Sequence, residues 1–292
     1  MQVAFHLGAH FTEPSALLRS LRHQEAELAR DGVSIPGPDA YLPLLLQATR
    51  PGSLRSGEPE DLPRRLRQII GRPDGAVRVI LSGEDLLGPS EEAVAEDRLY
   101  PGAADRIRTL AALFPKDRLE FHLAIRSPAT FLPSLVQRCP EGEAGRLLRR
   151  VDVAALRWSD LVARLRAAVP GAPVTVWCDE DMPLIWPEAV AAVAGGNGEP
   201  PHAALLDRLT PLLTEEGLRR LSQALTGDPP PDAEARRAIV TGILNRFGRS
   251  EAIEMDLDMP GWTHATIDRL SDAYEDDVER IGRMEGVHLI AP

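Results

Sequence analysis

Lysine is nearly absent from this chain, and positive charge as a whole is scarce. Lys116 is the only lysine among 292 residues, and lysine and arginine together number 33 against 44 aspartates and glutamates, which gives a net charge of −11. Nucleic acids and anionic membrane surfaces are bound through clustered basic residues. We therefore expect neither a nucleic acid nor a membrane among the partners of this protein.

Cysteine and long apolar runs are also scarce. Cys139 and Cys178 have neither the spacing of metal ligands nor the context of a disulfide framework, so free thiols are expected. The histidines and cysteines are too scattered to predict a metal site. The sequence shows neither a signal peptide nor a membrane-spanning apolar run, so a cytoplasmic location is the default expectation.

What the chain does have is a regular alternation of strand and helix patterns. Short apolar runs predict buried strands at residues 2–8, 76–82, 119–125 and 174–177. Helical spacing predicts helices at residues 13–31, 61–71, 101–113 and 152–168. This alternation predicts an α/β fold in which helices flank a parallel sheet. Beyond about residue 200 the pattern is helical, so we divide the chain into an α/β core, 1–195, and a C-terminal helical region packed on it, 196–292.

The first strand leads through Gly8 into an amphipathic helix, which is the frame of a phosphate-binding loop. The contents of the loop are unusual. Phe11 occupies the position at which a lysine would neutralise phosphate, Glu13 adds a negative charge, and Pro14 lacks an N–H. We infer that Glu13 caps its own helix and so fills the anion site. An ordinary strand-to-helix turn and a degenerate phosphate-binding loop both stay open as interpretations.

Three separate segments share a likeness to one family. They are His6-Leu7-Gly8-Ala9-His10 with the later Asp31-Gly32-Val33-Ser34-Ile35-Pro36, then Val79-Ile80-Leu81-Ser82-Gly83-Glu84-Asp85-Leu86, and Ala124-Ile125-Arg126-Ser127-Pro128 followed by Ser134. Together they resemble the bacterial sulfotransferases that use the sulfonate donor PAPS, a family with the P-loop fold. The resemblance implies this fold and the transfer of a sulfonate group from PAPS to an acceptor hydroxyl.

The resemblance also implies roles for individual residues. The residues implied to bind PAPS, or its desulfonated product PAP, are Gly8, Ala9, His10, Thr12 and Ser15 for the 5′-phosphosulfate, and Arg126 and Ser134 for the 3′-phosphate. Glu84 would be the base that activates the acceptor hydroxyl, and His10 is a second candidate. Simpler interpretations stay open: Glu84 and Asp85 as an acidic pair at a helix start, His10 as a hydrogen-bonded turn residue, and Arg126 as the partner of an acid.

The chain departs from the family most clearly in the loop. The stretch Lys-Thr-Gly-Thr-Thr-Ser of the family corresponds here to residues 11–16, where Thr12 is retained and Ser15 replaces a threonine. The missing lysine charge is worth roughly 1–4 kcal/mol at contact distance. We therefore expect impaired sulfonate transfer, whether or not PAPS still binds.

Two alternatives stand beside an impaired sulfotransferase-like protein. One is an active enzyme in which Arg19 or Arg138 replaces the lysine. The other is a non-catalytic binding or scaffold protein that kept the fold and acts through a protein partner or a homo-oligomer. The acceptor molecule is not readable from the sequence, because variable loops build acceptor pockets.

Overall fold

The structure is a computed structural model that describes residues 1–12, 14–50, 62–70, 76–138, 151–196, 202–227, 230–253, 259 and 261–292. Six of the strands in these ranges form one parallel sheet in the order β2-β3-β1-β6-β7-β8. These strands are β1 Gln2–His6, β2 Val33–Ser34, β3 Arg78–Ser82, β6 Arg118–Ile125, β7 Val174–Cys178 and β8 Val287–Ile290. A separate antiparallel hairpin is formed by β4 Val94–Ala95 and β5 Arg98–Leu99.

Helices cover both faces of the sheet, as the predicted α/β class requires. In chain order they are α1 Pro14–His23, α2 Glu25–Arg30, α3 Pro38–Ala48, α4 Leu62–Ile70, α5 Ala103–Leu113, α6 Pro128–Arg138, α7 Trp158–Ala168, α8 Met182–Ala194, α9 His202–Leu209, α10 Glu215–Gly227, α11 Ala233–Phe247, α12 Ser250–Ile253 and α13 His264–Gly282. In the part of the chain that the structure describes, none of the helices has the length and apolarity needed to cross a membrane.

The alternation of side chains along the strands divides the core into two layers. Phe5 of β1 lies opposite Leu81 of β3 and Phe121 of β6 and packs with helices α3, α5, α6 and α7. The neighbouring Ala4 points to the other face, where the second layer is built with α1 and α8 to α11. β1 is thus buried on both faces, which explains its nearly continuous apolar sequence.

The second face also carries a buried polar cluster. The carboxylate of Glu120 contacts the guanidinium of Arg78 and accepts a hydrogen bond from the side-chain amide of Gln2. Arg78 also donates to the carbonyl of Val193, at 3.1 Å from Nε and 2.8 Å from a terminal nitrogen. Since Val193 is in the last turn of α8, Arg78 ties the end of this helix to β3 and β6. Burial lowers the pKa of Arg78 to about 10, which leaves it charged at neutral pH.

Most predicted elements are present, with shifted boundaries. The predicted helix 13–31 is two helices, α1 and α2, and the glycine that ends the second, Gly32, has the expected left-handed conformation with φ of 76°. The region beyond residue 200 is not helical throughout, because β8 adds a sixth strand beside β7. The β4–β5 hairpin was also missed. The predicted loop at 50–63 and Cys139 lie largely or wholly outside the described residues, whereas Cys178 is a buried free thiol.

Two buried histidines make the stability of the fold depend on pH. Burial lowers the pKa of both His6 and His122 to about 3, assisted for His6 by the charge of His122 and for His122 by the charge of Arg78. His122 Nε2 lies 2.8 Å from Glu120, so the neutral imidazole donates a hydrogen bond there and the contact is not an ion pair. In the unfolded chain both side chains bind protons near pH 6.5.

Between about pH 6.5 and pH 3 the unfolded state therefore binds more protons, and stability falls as the pH falls. We expect each histidine to contribute a slope of about 1.4 kcal/mol per pH unit in this window. The variant His122→Gln keeps a donor for Glu120 and should have a shallower pH dependence than the wild type. Urea unfolding at several pH values tests this, and parallel curves for the two proteins would refute it.

Candidate functional site

The predicted site residues converge at the carboxyl edge of the sheet. The loop after β1, the turn after β3 and the start of α6 after β6 meet there, with β1 between the other two strands. In open α/β sheets, ligands bind at the carboxyl ends of strands where the strand order reverses, which is the position of β1 here. The loop after β1 therefore lies where a phosphate-binding loop would lie. Its side chains and backbone amides determine what it can bind.

Charged side chains bond both backbone polar groups of Phe11. Its N–H donates to Glu84 Oε1 at 2.9 Å, and its carbonyl accepts from a guanidinium nitrogen of Arg126 at 3.1 Å. Phe11 has a φ of 68°, a left-handed conformation that a residue with a Cβ adopts at a cost. Hydrogen bonds to charged groups are the strong ones, so these two contacts stabilise the strained turn.

The side chain of Phe11 fills the position of the missing lysine with an aromatic ring. Its centroid is 5.9 Å from that of Phe131 and 6.0 Å from that of His10. Arg138, one of the two predicted substitutes for lysine, holds its guanidinium 5.4 Å from the ring centroid. Arg19, the other substitute, instead lines a cavity between α1, α8 and the segment after α9.

His10 is fully engaged in a buried network. Its N–H donates to the Tyr100 hydroxyl at 3.0 Å, its Nδ1 lies 2.7 Å from the same hydroxyl, and its Nε2 lies 3.1 Å from Asp85 Oδ1. One assignment satisfies all three contacts: Tyr100 donates to Nδ1, and Nε2–H donates to Asp85. This hydrogen bond lowers the pKa of Asp85. With both ring nitrogens bonded, His10 has the contacts of a turn residue and offers no lone pair to a substrate.

Tyr100 is the residue that sequence reasoning missed at this site. It is 1% exposed, its ring stacks on His10 with centroids 5.7 Å apart, and burial raises the pKa of its hydroxyl. The β4–β5 hairpin that precedes it turns at Glu96 and Asp97, with φ of 54° and 55°. Such turns are usually signalled by Asn-Gly or Asp-Gly, so Glu-Asp gave no recognisable signal.

The amide groups of residues 9–12 in the loop are satisfied within the protein. Ala9 N–H donates to the carbonyl of Ala124 at 3.0 Å, and Thr12 N–H donates to the carbonyl of Ala9 at 3.3 Å. Thr12 Oγ1 donates to the same carbonyl at 2.6 Å. A Cβ at Gly8 would lie 3.0 Å from this hydroxyl oxygen, so the loop is tightly packed here. Together with the bonds of His10 and Phe11, every amide from Ala9 to Thr12 has a protein acceptor. A phosphate cradle requires several of these N–H groups to point at the ligand.

The predicted 3′-phosphate residues are also bonded internally. Arg126 is 8% exposed, and its Nε donates to Thr130 Oγ1 at 2.9 Å. Ser134 Oγ donates to the carbonyl of Thr130 at 3.0 Å, which is a bond within α6. Ser15 is exposed in the first turn of α1, and Glu13, with its predicted cap, lies outside the described residues.

A second carboxylate at this edge serves a structural purpose. Glu180, in the turn after β7, accepts the N–H of Ser127 at 2.7 Å and the hydroxyl of Tyr274 at 3.2 Å. It therefore satisfies an amide just before α6 and links it to α13. Glu84 and Glu180 act alike: each carboxylate accepts an amide N–H of a neighbouring loop.

The fold and the loop define the class of this protein: an α/β protein with a parallel sheet and a strand-loop-helix unit in which the amides of residues 9–12 are satisfied by groups of the protein itself. Comparison with protein-family models, with curated proteins and with solved structures found no match to this chain.

The contact between Glu84 and Phe11 can be tested by its contribution to stability. In Glu84→Ala the Phe11 N–H loses its acceptor, and the free energy of unfolding should fall by about 1–3 kcal/mol. Glu84→Gln should lose less, because the amide oxygen still accepts. Urea unfolding measures both changes. Glu91→Ala, which removes an exposed carboxylate nearby, is the control, and an equal loss in Glu84→Ala and Glu91→Ala would rule out the contact.

The strained conformation of Phe11 predicts an unusual order of two substitutions. Phe11→Ala and Phe11→Gly both remove the ring, but only glycine adopts the positive φ without strain. We expect Phe11→Gly to be more stable than Phe11→Ala by about 1 kcal/mol, after allowance for the larger entropy of unfolded glycine. Thermal unfolding of the two variants decides the order. The reverse order would mean that the turn relaxes once the ring is removed.

Proposed function

We propose that this chain is a sulfotransferase-like protein that has exchanged sulfonate transfer for a binding or scaffolding role. The observation that carries the proposal is the hydrogen bond from the Phe11 N–H to Glu84, 2.9 Å long. In the family that the sequence resembles, the loop amides bind the phosphosulfate of PAPS. Here a carboxylate of the protein itself occupies one of these donors, so the residues present do not fit that group.

The candidate catalytic groups support the same proposal. A general base needs a lone pair within reach of the acceptor hydroxyl, and His10, the second candidate, is bonded through both ring nitrogens. Glu84, the predicted base, is held at the loop by the Phe11 N–H, which it accepts through Oε1. The lysine position holds Phe11, whose ring supplies no charge to the leaving group. A protein partner or a second copy of the chain is the kind of partner that this role implies.

Titration calorimetry with PAP tests the proposal, because PAP carries the phosphates of the donor without the reactive sulfonate. We expect no saturable binding by the wild-type protein at millimolar PAP. The double variant Phe11→Lys/Glu84→Ala restores the lysine and vacates the Phe11 amide, and it should gain measurable affinity. The matched control Phe11→Lys/Glu91→Ala restores the same lysine while Glu84 stays on the amide, and it should gain none.

Two outcomes would contradict this account. Micromolar binding of PAP by the wild type, lost in Arg126→Ala but kept in Arg108→Ala, would mean that the donor site is intact, and turnover of PAPS would then have to be measured. Equal gains in the two double variants would mean that Glu84 does not block the loop. Each variant is first compared with the wild type in thermal unfolding, because Arg126 is buried and supports the Phe11 turn.

A further inference from the structure

The strand β8, Val287–Ile290, lies at one end of the parallel sheet and pairs with β7 on its inner side. The N–H of Val174 in β7 donates to the carbonyl of Gly286 at 3.4 Å, so this carbonyl points toward β7. Backbone groups alternate in direction along a strand, and the N–H and carbonyl of Leu289 therefore point away from the sheet. Within the described part of the chain, no hydrogen bond reaches either group. The outer edge of β8 thus offers a donor and an acceptor at Leu289.

The two ends of the sheet differ in how they are protected against pairing with another strand. Exposed edges are usually blocked by very short strands, by charged side chains or by proline. At the other end of the sheet, β2 has 2 residues, and Pro36 follows it closely. β8 has 4 residues, and none of them is proline, lysine, arginine, aspartate or glutamate. The edge of β8 therefore lacks the features that block pairing.

The outward groups of β8 are complementary to a second β8 that runs antiparallel to it. In an antiparallel pair, two residues that lie opposite each other exchange both backbone hydrogen bonds. A two-fold axis beside Leu289 places this residue opposite Leu289 of the partner subunit, so that each N–H donates to the carbonyl of the other copy. The same axis places the Val287 carbonyl opposite the N–H of Ala291 of the partner subunit. Partial charges of opposite sign therefore meet at every one of these contacts.

The side chains of β8 suit the same arrangement. Leu289 is half-buried against the first layer of the core, and the second leucine would lie beside it. On the second face, His288 is exposed in the single chain and would lie opposite Ile290 of the partner subunit. Helices α8 and α11 leave a cavity of about 430 Å³ along this face of β8, so they do not cover the edge. Pairing thus covers exposed surface without placing like charges opposite each other.

We propose that β8 is an interface at which two copies of this chain pair edge to edge and join their sheets into one. The interface is isologous, because the same residues of both copies meet across a two-fold axis. The inference rests on the proposed binding role and names a second copy as the partner. The two proposals can fail separately: an intact PAP site would contradict the proposed function, whereas a monomeric protein would contradict this interface.

Sedimentation equilibrium tests the interface with two variants of Leu289. The chain has a mass of 31.9 kDa, and we expect the wild type to form a dimer of twice this mass at micromolar concentration. Leu289→Pro removes the outward N–H, and an edge strand tolerates proline where this group faces solvent. Leu289→Ala shortens the same side chain but keeps the N–H. The dissociation constant should be about tenfold or more higher in Leu289→Pro than in Leu289→Ala, because each copy loses a hydrogen bond to the other.

A cysteine experiment locates the two-fold axis. Residues opposite each other in a hydrogen-bonded antiparallel pair have Cα atoms about 5.5 Å apart, a distance that a disulfide spans. Leu289→Cys should therefore give a disulfide-linked dimer in oxidised glutathione. Val287→Cys, which would lie opposite Ala291 of the partner subunit, should not. The wild type, with its own Cys139 and Cys178, is the baseline.

A wild type that stays monomeric at the highest concentration would overturn the proposal, and the edge would then be left to a strand of a different protein. Equal dimerisation of Leu289→Pro and Leu289→Ala, or equal crosslinking of Leu289→Cys and Val287→Cys, would also overturn it, because the copies would then meet elsewhere. Thermal unfolding of each variant first shows whether the fold is kept. If Leu289→Pro does not fold, the two cysteine variants still decide the question.

Discussion

The carboxyl edge of this protein depends on two hydrogen bonds, one to the backbone N–H of Phe11 and one to its carbonyl. Glu84 accepts its N–H and Arg126 donates to its carbonyl, and these residues come from the ends of two different strands. The two contacts hold a phenylalanine at a φ of 68° and close the loop between β3 and β6. Because the loop is fixed by groups of the protein itself, the amides of residues 9–12 that could otherwise bind a phosphate are already bonded.

A similar principle operates on the second face of the sheet. The pair of Arg78 and Glu120 is buried there, and Arg78 also donates to the last turn of α8. Removing either charge would leave the other buried without its partner, which is costly. The position of α8 is thus tied to the sheet by polar contacts as well as by apolar packing. Since Trp186 lies on α8, the same contacts help to position its hydrogen bond to Ser20 of α1.

The fold class was predictable because strand and helix patterns are local. The apolar runs of β1, β3, β6 and β7 are short, and Gly32 ends α2 as expected. The strand β8 could not be recognised, because it is four residues long, only one of them is buried, and a long helix precedes it. Its pairing with β7, more than a hundred residues earlier in the chain, is a tertiary contact. The turn at Glu96 and Asp97 was not recognised, because both residues have positive φ and neither is the glycine that usually marks such a turn.

By itself, the sequence determined the parallel α/β architecture, the strand-loop-helix unit and the absence of a lysine from the loop, since each of these depends on residues that are close together in the sequence. Only the tertiary structure decided what fills the loop. Glu84 follows Phe11 by 73 residues and Tyr100 follows His10 by 90, so their hydrogen bonds exist only once the strands are aligned. The same applies to Trp186, which meets Ser20 and Arg208 through helix packing. Local sequence patterns specify the helices and strands, whereas contacts between residues far apart in the sequence are determined by how those helices and strands pack.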